Sequence, residues 1–297
     1  MMITKLTKGG LLAMGCALAL LIAACGDAPP TDYIPQYVVQ AYLIVDSQLV
    51  AVNITRSQSV TDTFKVANGA VPDADVRIIT GDRTLPLQYR RTEGDPIGEY
   101  YYPDTTFRIQ PDTEYKIEVR AKDGSFLTAR TTTPGRINWV KAPFDTLQYP
   151  IDTLSLLSPD SLKLKWNPVP NLSEYLISVR SLDTAGYGKY LNPPTAEKNR
   201  RMVRKFEEND PQYAEVVRWG FLASTESPTV WAAFKWYGKQ VVTIYAPDQS
   251  MVRWFKMTNW GGNGQYNPLL SNVEGGLGVF TSASVASKEV FLLKNQP

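Results

Sequence analysis

Between residues 37 and 133 apolar and polar residues alternate with the period of two that marks β-strands. In Val50–Thr55, Val50, Val52 and Ile54 alternate with smaller or polar residues. Asp75–Thr80 repeats the scheme through Val76 and Ile78, and Gly81-Asp82 supplies a turn. The clearest unit is Thr113–Thr133. Tyr115, Ile117 and Val119 face one way, Lys116, Glu118 and Arg120 the other, and Asp123-Gly124 is the residue pair favoured in a type I′ turn. Phe126–Thr132 returns, and Pro134-Gly135 stops the strand. Tyr37–Val45 differs, being almost continuously apolar, and predicts a strand buried on both faces. Strands at this spacing predict a small β-sandwich over residues 36–135.

Residues 136–160, rich in Pro and Asp, read as a linker. A second domain is predicted over 161–297. Leu162, Leu164 and Trp166 alternate inward with Lys163 and Lys165 outward, and Tyr175, Ile177 and Val179 repeat the scheme. An insertion over about 181–236 contains Ala196–Glu208, a candidate charged helix with Glu197/Arg201 and Arg204/Glu208 at i,i+4 spacing. Asp248 is a candidate cap for a short helix through Met257, with Met251, Val252 and Phe255 on one face. The 21 prolines and 16 tyrosines agree with many short strands separated by turns.

Ile109-Gln-Pro-Asp-Thr-Glu-Tyr-Lys-Ile-Glu-Val resembles the penultimate strand of immunoglobulin-like and carboxypeptidase-regulatory-like domains. The resemblance implies that the Tyr115 hydroxyl ties down the corner; a cross-strand packing tyrosine is the alternative. Ser161–Arg180 resembles the second and third strands of a fibronectin type III domain with Trp166 as its core tryptophan, and Gly238–Pro247 resembles the sixth strand. The expected fold class is therefore all-β: two tandem β-sandwich domains, the first immunoglobulin-like, the second fibronectin type III-like with a partly helical insertion.

Ahead of these domains Leu11–Ala24 carries no charge, follows Lys5 and Lys8, and ends on Cys25. At about 1.5 Å per residue this run spans about 21 Å, short of the ~30 Å hydrocarbon core of a membrane. Ile22-Ala-Ala-Cys25 resembles the lipobox of bacterial lipoproteins, which implies a signal peptide over 1–24, lipidation of Cys25 and a tether over 25–35. Removing 1–24 takes away two lysines and no acid, so the 31 basic residues fall to 29 against 29 acidic. A chain of zero net charge has no electrostatic pull toward nucleic acid. The two cysteines are Cys16, which is discarded, and Cys25, so no disulfide forms. The chain has no histidine, which excludes Ser-His-Asp and Cys-His catalysis and histidine-based zinc sites. No metal or cofactor is expected, and no enzymatic activity.

Carboxylate chemistry is the residual catalytic route, with Glu93, Glu99 and Glu274 as the candidates for a two-acid glycoside hydrolase. Trp219, Trp231, Trp236, Trp254 and Trp260 fall close together in the chain. Core filling and a sugar-stacking platform are the competing readings, with core filling favoured. Trp260-Gly-Gly-Asn-Gly-Gln-Tyr266 places two aromatics around a flexible loop, making Trp260 and Tyr266 the candidate ligand contacts for a glycan or peptide. Gly275-Gly-Leu-Gly278 lacks the spacing and the βαβ setting of a phosphate loop, and reads as glycines needed for positive φ or close backbone approach.

The lipobox, the early Val38-Val-Gln-Ala-Tyr-Leu43 strand, Val71-Pro-Asp-Ala-Asp-Val76, the Pro-Asp-Thr-Glu-Tyr turn and the closing Asn272-Val-Glu-Gly-Gly-Leu-Gly-Val-Phe280 together resemble a family of uncharacterised Bacteroidota lipoproteins about 300 residues long. It is classed as a domain of unknown function, and its members often sit beside TonB-dependent outer-membrane receptors. The resemblance implies a lipid-anchored outer-membrane protein that serves as an accessory or binding module for such a receptor. A structural or adhesive envelope protein is the alternative. Surface-displayed lipoproteins of that lineage usually carry an acidic cluster after the lipidated cysteine; Gly26-Asp27-Ala28 does not, which leaves the choice between cell surface and periplasmic face open.

Overall fold

The alternation along residues 37–133 becomes strands of three sheets packed around one apolar core. The computed structural model describes residues 33–59, 63, 65–151, 156–202, 216–260 and 270–294. The first body contains β1 (Tyr37–Ile44), β2 (Asn53–Arg56), β3 (Asp75–Thr80), β4 (Arg83–Pro86), β5 (Gln88–Arg90), β6 (Glu99–Tyr101), β7 (Glu114–Arg120) and β8 (Phe126–Thr132). The second contains β9 (Trp139–Lys141), β10 (Thr146–Gln148), β11 (Leu164–Trp166), β12 (Tyr175–Ser181), β13 (Val216–Leu222), β14 (Glu226–Ser227), β15 (Gly238–Pro247), the helix α1 (Gln249–Trp260) and β16 (Leu277–Leu293). The fold is all-β sandwich with one helix among the described residues.

In the first body β4-β3-β7-β8 form an antiparallel sheet whose inward residues, including Ile78, Ile117 and Leu127, meet Val39 and Leu43 of β1. β1 is not buried on both faces as its composition predicts. Its burial alternates, because Val38, Gln40 and Ile44 lie only partly covered and Tyr42 is exposed on the reverse side. The β7–β8 hairpin forms where predicted but not through a type I′ turn. Only Gly124 has positive φ (89°), and Ala121 N–H bonds the Ser125 carbonyl, giving a three-residue loop with glycine in its left-handed position. The Val71–Val76 motif has a structural reason. The Tyr100 hydroxyl donates to the Val71 carbonyl (2.8 Å) and accepts the Ala74 N–H (3.0 Å), and burial pushes its pKa up to about 12.

In the second body Trp166, Tyr175, Ile177 and Val179 are buried as predicted, but Leu176 and Ser178 on the opposite face of β12 are buried too. Trp166 meets Trp139 and Tyr175 edge-on, with centroids 6.2 and 5.7 Å apart. Residues 136–151, read as linker, belong to this body: they supply β9 and β10 and bury Ile137, Leu147 and Tyr149. The helix predicted over 196–208 is absent from its described part, 196–202. Lys198 bridges Gly186, Arg201 bridges Trp236, and the Asn199 amide donates to the carbonyls of Asp183 and Tyr237. An Asn side chain competing for backbone groups favours this extended course over a helix. Glu197 pairs with Lys294 rather than Arg201.

β16 joins the bodies. It is 17 residues long. Leu277–Ala283 pairs parallel to β1, while Ala283–Leu292 pairs antiparallel to β15. Phe280 is buried in the first core and Leu292 in the second. The segment read as the end of the second domain thus completes both bodies, within one sheet of order β13-β12-β15-β16-β1-β2. The closing motif carries this junction. Asn272 donates to the Phe280 carbonyl (2.7 Å) and accepts its N–H (2.9 Å). Gly278, with φ of 112°, lies so close to β1 that a Cβ would fall 1.9 Å from the Val39 carbonyl oxygen.

Candidate functional site

Two tyrosine corners build the walls of a cleft between the bodies. In the first, Tyr115, fully buried, accepts the backbone N–H of Gln110 at 2.8 Å, which is the corner the sequence predicts. Burial pushes the Tyr115 hydroxyl pKa up. Thr133 braces the turn by donating to the Gln110 carbonyl (2.7 Å) and accepting the Thr113 N–H (3.0 Å). In the second, Tyr175 accepts the N–H of Val169 at 2.9 Å, a corner that sequence reading missed. Each turn places a residue in the left-handed region directly after a proline: Asp112 with φ of 49° and Asn171 with φ of 61°. Asp and Asn tolerate that conformation better than other residues with a Cβ. The chain passes between the corners at Gly135, where a Cβ would stand 3.3 Å from the Asp112 carboxylate and 3.6 Å from Val169.

The cleft, about 380 Å³, is lined by Asp112 and the end of β8 from the first body and by Pro170–Leu172 and Asp248–Ser250 from the second. Its floor is tied by Asp248. This carboxylate accepts from Thr131 of β8, from Thr281 and the Ser282 N–H (3.1 Å) of β16, and from the Met251 N–H (2.7 Å) that begins α1. The predicted cap is therefore present, and α1 runs on to Trp260. Met251, Val252 and Trp254 are buried, while Phe255 is only half-buried. At the edge of the junction Arg136 makes a two-point ion pair with Asp46, both contacts at 2.7 Å, which lowers the Asp46 pKa.

Asp248 is thus committed to the framework. Asp112, Thr132 and Asn171 line the cleft, and the Asp112 carboxylate, the Thr132 hydroxyl and the Asn171 amide have no hydrogen-bond partner among the described residues; Asp112 lies in the field of Arg136. Such a mixture, with Pro134, Pro170 and Leu172 beside it, can hold a ligand rich in hydroxyl or amide groups.

The residues named from sequence stand elsewhere. Cys25 and Tyr266 lie outside the described residues; Trp260 ends α1, and its side chain is likewise outside them. Trp219, Trp231 and Trp254 are buried and Trp236 half-buried, so core filling accounts for these rings. Glu99 pairs with Arg90, the Glu274 backbone bridges Thr128, and Glu93 sits between β5 and β6; none of the three lines the cleft. Among the described residues no three potential metal ligands gather. The signal that could have located the cleft is a near-repeat, Pro111-Asp-Thr-Glu-Tyr115 and Pro170-Asn-Leu-Ser-Glu-Tyr175.

The model of a family described as a domain of unknown function (DUF4249) matches residues 28–289, and the chain belongs to that family. No curated protein matches the chain in sequence. Among solved structures, domains A168–A170 of titin are similar at 9% identity and a TM-score of 0.20, over 87% of this chain and 66% of that one. Domains 1–6 of the surface layer protein SbsC are similar at 11% identity and a TM-score of 0.22, over 96% of this chain and 43% of that one. The chain therefore spans under two thirds of each of these structures, and at such scores neither likeness defines a shared fold.

Proposed function

We propose that this protein is a non-catalytic, lipid-anchored outer-membrane lipoprotein whose inter-body cleft takes a ligand in the service of a TonB-dependent receptor. The observation that carries the reading is the cleft itself. Two bodies held by one continuous strand present the side chains of Asp112, Thr132 and Asn171 without hydrogen-bond partners among the described residues, at the kind of domain junction where ligand sites concentrate. A glycan or a peptide matches those groups. The lipobox ending at Cys25 and the resemblance to receptor-associated lipoproteins support the membrane and the partner.

Affinity capture with the lipidated protein from solubilised outer membrane should recover a TonB-dependent receptor. The D112A/N171A variant should keep the receptor and lose ligand. Repeated recovery of the lipoprotein alone overturns the reading. A deletion strain with intact nutrient uptake but altered attachment or envelope integrity would establish the structural or adhesive role instead.

A further inference from the structure

The first body has one pole at the inter-body junction and another where the tether leaves it. β1 begins at the outer pole, with Tyr37 opposite Arg56, and ends at Ile44, beside the Asp46–Arg136 pair of the junction. β16 runs parallel to β1 from the same outer pole, and its 17 residues extend about 56 Å into the far end of the second body.

Exposed apolar side chains gather at that outer pole. Ile34 is 78% exposed, and Tyr33 beside it is exposed as well. Val66 is exposed on the short turn Val66–Gly69, whose Gly69 packs on the Arg56 carbonyl. Phe126 is exposed where β8 begins, next to Gly275 just ahead of β16. Cationic groups are interleaved with these. The Arg120 guanidinium lies 4.8 Å from the Phe126 ring centroid, and Arg56 lies 4.6 Å from that of Tyr37 while also holding Asp123. The Lys65 ammonium has no carboxylate partner among the described residues, and it shares a cavity of about 480 Å³ with Tyr33 and Arg56. Apolar and aromatic side chains mixed with Lys and Arg are the composition that rests at a bilayer interface.

We propose that this pole is a membrane-contact surface, seated on the phosphate headgroups of the leaflet that carries the anchor, with Tyr33, Ile34, Val66 and Phe126 in the interfacial zone. Its orientation rests on the anchor reading. From Cys25 to Tyr33 the chain reaches at most about 28 Å, which keeps this pole within that distance of the anchor, and seating Ile34 and Phe126 in the interfacial zone sets the pole face-on to the bilayer. β16 then stands away from the membrane as a mast. The cleft, at the level of Ser282, is held about 17 Å above the start of that strand, clear of the headgroups.

The test uses the mature chain made without its signal segment, and hence without lipid, mixed with phosphatidylglycerol/phosphatidylethanolamine vesicles and sedimented. Co-sedimentation is expected, weakened by high salt. The I34S/F126S double variant should bind about tenfold more weakly and K65E about fivefold more weakly. F144S, at an exposed position of the second body, should bind like the parent. Absence of vesicle binding, or an equal loss in F144S, overturns the proposal. Acylation of Cys25 is read separately, from the mass of protein purified from membranes. An unacylated Cys25 with vesicle binding intact removes the anchor reading and leaves the contact surface standing; an acylated Cys25 without vesicle binding does the reverse.

Discussion

The two tyrosine corners use the same hydroxyl-to-backbone bond in different surroundings. Tyr115 reaches back five residues to Gln110, which is exposed, and Thr133 fastens the same turn with further hydrogen bonds. Tyr175 reaches back six residues to Val169, which is buried, and the Trp166 ring packs edge-on against it. One wall of the cleft is thus set by a polar network at the surface and the other by apolar packing around a single hydrogen bond. The same local device can therefore be braced from outside or from within, and the two corners should fail differently.

The largest effects test whether the bodies that carry these corners are one cooperative unit. Phe280→Ala should cost about 3–5 kcal/mol and Leu292→Ala about 2–5 kcal/mol, since each opens a cavity in a different core along β16. All seven tryptophans lie at or beyond residue 139; Trp166, Trp219 and Trp231 are buried in the second core and weight the fluorescence toward that body, while Trp254 bonds Tyr42 of β1 and reports the junction. If β16 couples the bodies, Phe280→Ala lowers the urea midpoint seen by tryptophan fluorescence as well as by circular dichroism. Two separate transitions would show that the shared strand does not weld them.

Next come the corners. Tyr175→Phe should cost about 2–3 kcal/mol, because the Val169 N–H is left unpaired in a buried setting, whereas Tyr115→Phe should cost about 1 kcal/mol, since water can reach the Gln110 N–H. Equal costs in chemical denaturation would erase the distinction between the walls. A smaller effect of opposite sign is expected from Asp112→Gly and Asn171→Gly. Glycine adopts positive φ without strain, so each should leave stability unchanged or raise it by about 0.5 kcal/mol while weakening any cleft ligand in calorimetry.

The smallest effect is the pH dependence carried by Asp183 in the second body. The Lys189 ammonium, with the Gly186 and Ala185 N–H groups and the Tyr190 hydroxyl, holds the Asp183 carboxyl well below the usual carboxylate range. A depressed folded-state pKa contributes stability in full above about pH 4, the ordinary value for Asp, and loses it as pH falls toward the folded value. Asp183→Asn should therefore be less stable than the parent at pH 7, with the gap narrowing on acidification. A gap independent of pH between 7 and 3 would contradict the assignment.

Much of the local structure was legible in sequence because its causes are local. The β7–β8 hairpin follows from period two and the Asp123-Gly124 turn, the start of α1 from Asp248, and the Tyr115 corner from the Pro-Asp-Thr-Glu-Tyr string. The failures have physical reasons as well. Apolar content alone could not tell that the outer face of β1 lies partly open. The charge spacing of 196–208 suggests a helix, but bridges to Gly186 and Trp236 hold its described part, 196–202, extended. Asp112 and Asn171 carry no unusual chemistry in sequence; they become neighbours only because two corners from different bodies meet across Gly135.

By itself the sequence determined the strand periodicity, the turns and caps, the all-β class and the exclusion of histidine chemistry, since each depends on residue type and near neighbours. Only the tertiary structure decided that Leu277–Leu293 is one strand shared by two cores, that residues 136–151 belong to the second body, and that a cleft opens between the corners. Strand partnership is a long-range choice. Period two says which way each side chain points but not which distant strand lies alongside, and β1 and β16 are paired across more than two hundred residues of chain.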